Sequence, residues 1–187
     1  MSAESIRSLT FEEFLAEEQR GDVRHEFVSG RVYAMSGATE RHDLLAGLVF
    51  DAFAVQARAG GCYRGGRRFL SNRLVRLEGQ GYYPDVLVVC GPSGEVHNET
   101  DVTVVVEVLS PSTEGYDRRE KALAYGRAPG FEVLVLLDPE RRRAEVGRRG
   151  PGGLMWEVAG SGHPVATSVG DLDIDALHDE LDRTAST

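Results

Sequence analysis

Apolar residues recur along the chain at two spacings, and each spacing predicts a type of secondary structure. Residues 40 to 61 carry apolar side chains at helical intervals, and Gly60-Gly61 closes the segment with a common helix stop. Thr10 and Glu13 have the spacing of a capping box, which predicts a short helix after Thr10. Asp117 and Glu120 have a similar spacing and predict another helix from about Arg118 to Arg127.

Alternating or continuous apolar runs predict the strands. HEFVSGRVYAM predicts a hairpin that turns at Ser29-Gly30. Residues 63 to 77 and 82 to 90 predict two strands joined at EGQG. VTVVVEVL and FEVLVLLD are continuous runs, typical of strands buried on both faces. RRAEVGRR and LMWEVAG predict more exposed strands, and the acidic segment DLDIDALHDELD has a short helical pattern.

The order of these elements predicts one α/β (α+β) domain over residues 1 to 187. It has a mixed central β-sheet flanked by helices, an N-terminal hairpin and C-terminal antiparallel strands. No internal repeat or low-complexity linker marks a second domain. A length of 187 residues is enough for one sizeable hydrophobic core.

Composition narrows the class of protein. A hydrophobic fraction of 41% and a charged fraction of 27% are ordinary for a folded domain, and no segment approaches a membrane span. The first residues lack the pattern of a secretory signal, so we expect a cytoplasmic chain. Cys62 and Cys90 form no CxxC motif, and we expect two reduced thiols. The net charge of −9 disfavours a protein that coats nucleic acid non-specifically.

Two predicted strands each carry one carboxylate among apolar residues. These are Asp85 in YYPDVLVV and Glu107 in VTVVVEVL. If the strands are neighbours, their period-2 geometry can bring both side chains to one face near a common edge. An unpaired carboxylate there would cost several kcal/mol, so it needs a cation, a metal or a proton. A divalent ion that bridges both carboxylates meets this need, and hard oxygen ligands favour Mg²⁺ or Mn²⁺.

Lys121 can reach the same place. It is the one lysine beside twenty arginines, and its compact ammonium suits a position beside a metal-bound water. The strand extends roughly 10 Å beyond Glu107, at ~3.3 Å per residue. The following helix rises roughly 6 Å from its start to Lys121, at 1.5 Å per residue. If the helix folds back along the strand, the lysine side chain spans the difference, and Tyr125 shares its helical face.

Each of these residues also has a purely structural interpretation. Asp85 follows a proline and can be a turn or strand-start residue. Glu107 can belong to a structural salt bridge, and Lys121 can be a solvated helix charge. The convergence of all three on one place favours the functional interpretation.

PDVLVV, VVVEVLSPST and DRREKALAY, preceded by HEFVSGRVYAMS and a helix with His42, resemble the Uma2 family (DUF820). This family of endonucleases is a branch of the PD-(D/E)XK, restriction endonuclease-like superfamily, and the similarity runs from about Phe11 to Arg149. It implies a restriction endonuclease-like core in which Asp85 and Glu107 hold the metal. The usual superfamily lysine position, two residues after the second acid, is Leu109 here, and Lys121 on the next helix matches the lysine of this branch.

The resemblance also extends to two further residues and shows two departures. Glu26 matches the glutamate of the family's hairpin. His42 matches a family histidine near the start of the first long helix. The resemblance implies that either residue could complete the shell of ligands around the metal or its water. His42 could equally be a helix-surface or capping residue. At the position of the family's second hairpin glutamate, this chain has Arg31. Where the family has Glu-Tyr-Trp before the Val-Asp of the late strand, this chain has Val133 to Val135.

Together these features predict a Mg²⁺- or Mn²⁺-dependent endonuclease that hydrolyses phosphodiester bonds, with DNA as substrate. By analogy with the family we expect a homodimer. A nuclease-like fold that binds nucleic acid or mediates assembly with little or no cleavage is the alternative, and a glycosidase that uses the two carboxylates is a third. We expect local basic surface to hold the nucleic acid. Its candidate residues are Arg64, Arg67, Arg68, Arg73, Arg118 and Arg119.

Overall fold

The computed structural model describes residues 9–35, 37–60, 67–90, 102–110 and 117–184. The elements in these ranges confirm a mixed α+β fold. The helices are α1 (Phe11–Glu18), α2 (Glu40–Gly60), α3 (Ala122–Arg127), which follows a π-helical turn (Asp117–Lys121), and α4 (Ile174–Thr184). The first six strands are β1 (His25–Val28), β2 (Arg31–Ala34), β3 (Arg67–Leu70), β4 (Val75–Leu77), β5 (Gln80–Tyr82) and β6 (Val86–Cys90). The other six are β7 (Val104–Val108), β8 (Val133–Leu137), β9 (Arg143–Gly150), β10 (Gly153–Gly160), β11 (Val165–Thr167) and β12 (Gly170–Leu172).

The main sheet has six strands in the order β10-β9-β8-β7-β6-β3. Its central pair, β7 and β8, is parallel, and its other pairs are antiparallel. Every residue of β7 and β8 is buried, as their continuous apolar runs predict for strands covered on both faces.

Alternation along β7 divides the core into two layers. Val104, Val106 and Val108 pack in the layer that contains Leu45 and Val49 of α2. Val105 packs in the opposite layer, which contains residues of α3. Because strand side chains alternate between faces, Glu107 falls on the same face as Val105.

A second sheet has the order β2-β1-β5-β4. The β1–β2 turn has positive φ at both Ser29 (51°) and Gly30 (78°), as a two-residue hairpin of type I′ requires, so the predicted hairpin is confirmed. The capping box of Thr10 and Glu13 is also confirmed at the start of α1. The second sheet joins the main sheet through the short link from β5 to β6.

The structure corrects the prediction of one strand over residues 63 to 77. The chain bends after β3, where Asn72 has a φ of 51°, and β4 then belongs to the second sheet. Asparagine tolerates this left-handed conformation, so it can end a strand inside a run that otherwise looks continuous. Within EGQG only Glu78-Gly79 forms the β4–β5 turn, because Gln80 and Gly81 belong to β5. The second predicted strand, over residues 82 to 90, is therefore divided between the end of β5 and β6.

Other sequence-based expectations have mixed outcomes. β10 is an edge strand with exposed Met155, Trp156 and Val158, as predicted, whereas β9 lies inside the sheet and buries Ala144 and Val146. Cys62 lies outside the described residues, and Cys90 ends β6. Within the described ranges, the helices lack the combination of length and apolar character that a membrane span needs.

Helix α4 is attached to the rest of the fold partly through Asp175. Its carboxylate accepts hydrogen bonds from the Gly162 backbone N–H and the Ser161 hydroxyl, both at 2.8 Å. These hydrogen bonds, the Gly162 one foremost, and the nearby Arg142 guanidinium lower the pKa of Asp175 below its ordinary value.

We predict that Asp175→Asn lowers the free energy of unfolding at pH 7 and that this loss disappears in acid. A carboxyl with a lowered folded-state pKa adds stability above its unfolded pKa of about 3.9, and this contribution vanishes as pH falls through the folded value. Urea unfolding of both proteins from pH 7 to pH 2.5 measures the difference. Asp22→Asn, in the exposed loop after α1, is the control. An equal loss at all pH values would contradict the prediction.

Candidate active site

Asp85 and Glu107 lie where two neighbouring strands meet at one end of the main sheet. β6 and β7 are antiparallel, and Val86 pairs with Val106 at this end. One further step in this register sets Asp85 opposite Glu107. The predicted adjacency of the two strands is therefore confirmed. Asp85 itself lies in the bend just before β6, and its carboxylate contacts His42 of α2, whereas that of Glu107 contacts Lys121 and Tyr125. The prediction that both side chains lie on one face of the sheet is therefore wrong, because the bend turns Asp85 out of the strand register.

Asp85 is held by the end of β7 and by α2. Its Oδ2 accepts a hydrogen bond of 2.7 Å from the Val108 backbone N–H. The same oxygen lies 3.4 Å from Nε2 of His42, the third residue of α2. Asp85 therefore ties the turn after β5 to β7 and also contacts a second predicted site residue.

His42 is only 13% exposed at its side chain and has carboxylates at both ring nitrogens. Nδ1 lies 3.3 Å from Asp43, and the backbone N–H of His42 donates to Thr39. The hydrogen bond with Asp85 raises the pKa of His42, and this effect, with help from Asp43, outweighs burial, which lowers it. The carboxylates therefore favour the imidazolium form of His42.

Glu107 lies on the other face, among residues of the helical segment that follows β7. Its side chain is 4% exposed, and its Oε1 accepts a 3.1 Å hydrogen bond from the Tyr125 hydroxyl. Lys121 Nζ lies 3.3 Å from the same oxygen. The predicted return of the helix toward the strand, which brings Lys121 and Tyr125 to Glu107, is confirmed.

Lys121 also contacts the second sheet. Its Nζ lies 2.9 Å from Oε1 of Glu26 in β1, and its side chain is 6% exposed. This burial excludes the interpretation of Lys121 as a solvated helix charge. One ammonium thus connects Glu26 of the second sheet with Glu107 of the main sheet.

Glu26, Lys121 and Glu107 form a buried trio of charged side chains. Buried charge is stabilised when an opposite charge lies close by, so the Lys121 ammonium stabilises both carboxylates.

The donor chemistry of Asp85 and Glu107 fits magnesium or manganese. Both present carboxylate oxygens, the hard ligands that these ions prefer. Among the described residues, no group of three or more His, Cys, Asp or Glu side chains is arranged to hold a metal. Mg²⁺ commonly binds through one or two carboxylates and completes its shell with water and substrate phosphates. A pair of carboxylates is therefore a sufficient protein contribution.

Sequence reasoning missed a second buried network, which adjoins the first. Glu18 is 5% exposed and accepts a hydrogen bond of 3.0 Å from the Tyr83 hydroxyl. His25 contributes its backbone N–H and Nδ1 to the same carboxylate. The Tyr83 backbone N–H donates to Glu26, so this network reaches the residue that binds Lys121. In the sequence Glu18 lies in the charged run EEQR, which gives no sign of burial.

The arginines predicted to bind nucleic acid are only partly described. Arg64 lies outside the described residues, as do the side chains of Arg67, Arg68 and Arg118. Arg67 and Arg68 pair with the far end of β6, four to five residues from Asp85, or about 13 to 17 Å at ~3.3 Å per residue.

Two of the predicted arginines lie nearer to the site. Arg73 follows the bend at the near end of β3, and exposed Arg119 lies two residues before Lys121. The fold therefore separates the arginines that the sequence groups together. Their role in binding nucleic acid stays a prediction.

We predict that Lys121→Met lowers the free energy of unfolding by about 3–5 kcal/mol, because two buried carboxylates lose their ammonium partner. Glu26→Gln in the same chain should recover part of this loss, since one uncompensated charge is removed. Urea unfolding of the wild type, both single variants and the double variant gives the coupling energy. Losses that simply add would show that Lys121 and Glu26 do not interact.

Comparison with known proteins agrees with this fold. The family model of Uma2, described as "Putative restriction endonuclease", matches residues 11–172. The uncharacterized protein slr1290 of Synechocystis sp. is 33% identical over 132 residues, which cover 69% of this chain and 68% of that protein. A second uncharacterized Synechocystis protein, sll1609, is 27% identical over 154 residues, 78% of this chain and 83% of that protein.

A solved structure shows the same fold. The crystal structure described as a "putative nuclease belonging to DUF820" from Anabaena variabilis superimposes with a TM-score of 0.74 at 17% identity. The match covers 92% of this chain and 99% of that one. Since the family model spans most of the chain, from α1 to the end of β12, this protein belongs to the Uma2 family.

Proposed function

We propose that the chain is a Mg²⁺- or Mn²⁺-dependent endonuclease that hydrolyses phosphodiester bonds in DNA. The observation that carries the proposal is the buried Glu107, which contacts both Lys121 and Tyr125 at the strand end beside Asp85. The endonuclease description of the family supports a nuclease-like function. Asp85 and Glu107 would hold the metal, which would polarise the phosphate and lower the pKa of an attacking water.

The other residues of the site have separate roles in this proposal. Lys121 presents a fixed ammonium beside Glu107, where it can orient water or stabilise the negative charge of the transition state. Glu26 positions Lys121 from the opposite sheet. His42 holds Asp85 and can store a proton at Nε2 close to the reacting groups. Tyr125 fixes the orientation of Glu107.

The buried trio favours this function over the alternatives. A glycosidase needs two carboxylates but no lysine, so it leaves Lys121 unexplained. A binding or assembly module needs no buried lysine–glutamate ion pair at the end of the sheet. The homodimer, expected from the resemblance, stays a prediction.

We predict that Asp85→Asn, Glu107→Gln and Lys121→Met each reduce DNA cleavage by about 100-fold or more, because each removes a charge that acts on the transition state. Plasmid and single-stranded DNA are incubated with Mg²⁺, Mn²⁺ or EDTA, and the products are quantified on gels. Asp51→Asn, on the exposed face of α2, is the matched control. Cleavage that survives the three substitutions would refute the site, and binding of DNA without any cleavage would favour the binding module.

We predict that Tyr125→Phe weakens Mg²⁺ affinity by about 10-fold or more, because partners that orient a ligand typically contribute this much. Calorimetric titration with Mg²⁺ measures the change. Tyr82→Phe is the control, since Tyr82 is equally buried and packs on Tyr125 at 5.7 Å, while its hydroxyl donates to Gln80. Equal loss in both variants would show that the effect comes from ring packing and not from the bond to Glu107.

A further inference from the structure

A cavity of about 390 Å³ opens beside Asp85 between α2 and the bend after β3. Asp85 belongs both to its wall and to the proposed phosphodiester site. A group bound in the cavity would therefore lie next to the reacting phosphate.

The lining of the cavity combines apolar surface with a few hydrogen-bonding groups. The apolar part includes Met35, the half-buried ring of Phe50 and the bare backbone of Gly47 in α2. The polar part includes the exposed Asn72 and Asp43. Such a lining suits a flat ligand with an apolar face and an edge of donors and acceptors.

The backbone also keeps this space open. A Cβ atom added at Gly47 would meet no atom within 4 Å, so the absence of a side chain there leaves room that packing has not filled. Asn72 has a φ of 51°, and its carboxamide carries both donors and acceptors, which can pair with the edge of a base.

We propose that this cavity receives one unstacked nucleobase of the nucleotide next to the scissile phosphate. The inference rests on the proposed nuclease function and specifies its substrate as a strand with an unpaired base at that position. Phe50 offers an aromatic surface for the base. Asn72 and Asp43 lie where they can form hydrogen bonds with the polar edge of the base. Aromatic side chains that stack on bases are common in proteins that bind single strands.

The test compares binding of two fluorescent single-stranded oligomers of equal length, one of DNA and one of abasic sugar-phosphate. Anisotropy is measured in Ca²⁺, with an EDTA arm in parallel. The wild type should bind the DNA oligomer about 5- to 150-fold more tightly than the abasic one, the range expected for one stacked base. Gly47→Leu fills the cavity and should bring the affinity for the DNA oligomer down to that for the abasic one.

Two variants complete the design. Gly152→Leu is the matched control, because a Cβ there also meets no atom within 4 Å and the residue lies in the β9–β10 turn. Its base preference should equal that of the wild type. Phe50→Leu keeps an apolar side chain but removes the aromatic surface, and it should lose part of the preference. Circular dichroism and thermal unfolding of every variant identify any that fail to fold.

The possible results separate the inference from the proposed function. Equal affinity of the wild type for the two oligomers, or no binding of either, would overturn the inference. A base preference that survives in folded Gly47→Leu and Phe50→Leu would also overturn it, since the base then binds elsewhere. A preference that disappears in these variants, from a protein that cleaves no DNA, would support the cavity and refute the nuclease.

Discussion

The ion pairs of Lys121 are the interaction on which the geometry of the site depends. One ammonium lies between Glu26 of β1 and Glu107 of β7, so it joins the two sheets at the place where they meet. All three side chains are buried, and the removal of Lys121 would take the shared ammonium away from two carboxylates in a low dielectric. This requirement fixes the second sheet, the main sheet and the π-helical turn relative to one another.

Hydrogen bonds extend this junction in both directions. On one side, Tyr83 connects Glu26 to the buried Glu18. On the other, Tyr125 fixes Glu107 from the first turns of α3. Networks of this kind are rigid when every member is satisfied, and the proposed metal site requires such rigidity. The site is therefore built on strands and helices whose positions the core already determines.

The two halves of the site face different layers of the core. His42 approaches Asp85 from α2, whereas Lys121 and Tyr125 approach Glu107 from the opposite face of the sheet. Because the carboxylates lie at the end of the sheet, both layers can contribute to one place. The cavity beside Asp85 is on the α2 side, whereas Lys121 and Glu107 are on the opposite side of the sheet.

Much of the fold could be predicted because local patterns determine it. The capping box at Thr10, the Ser29-Gly30 turn and the buried runs of β7 and β8 each depend on residues close in sequence, and the structure confirms them. The strand over residues 63 to 77 was predicted wrongly, because a single left-handed residue, Asn72, interrupts a pattern that otherwise continues.

For the site, the sequence by itself predicted that the strands carrying Asp85 and Glu107 are neighbours and that the next helix can return Lys121 to Glu107, because strand period and helix rise limit what the chain can reach. Only the tertiary structure decided that Glu26 would share this lysine and that Glu18 would be buried. Those contacts join segments that are far apart in sequence, and their formation depends on how two sheets pack together. No local pattern carries that information, because the identity of a glutamate in the sequence does not show whether its side chain is buried.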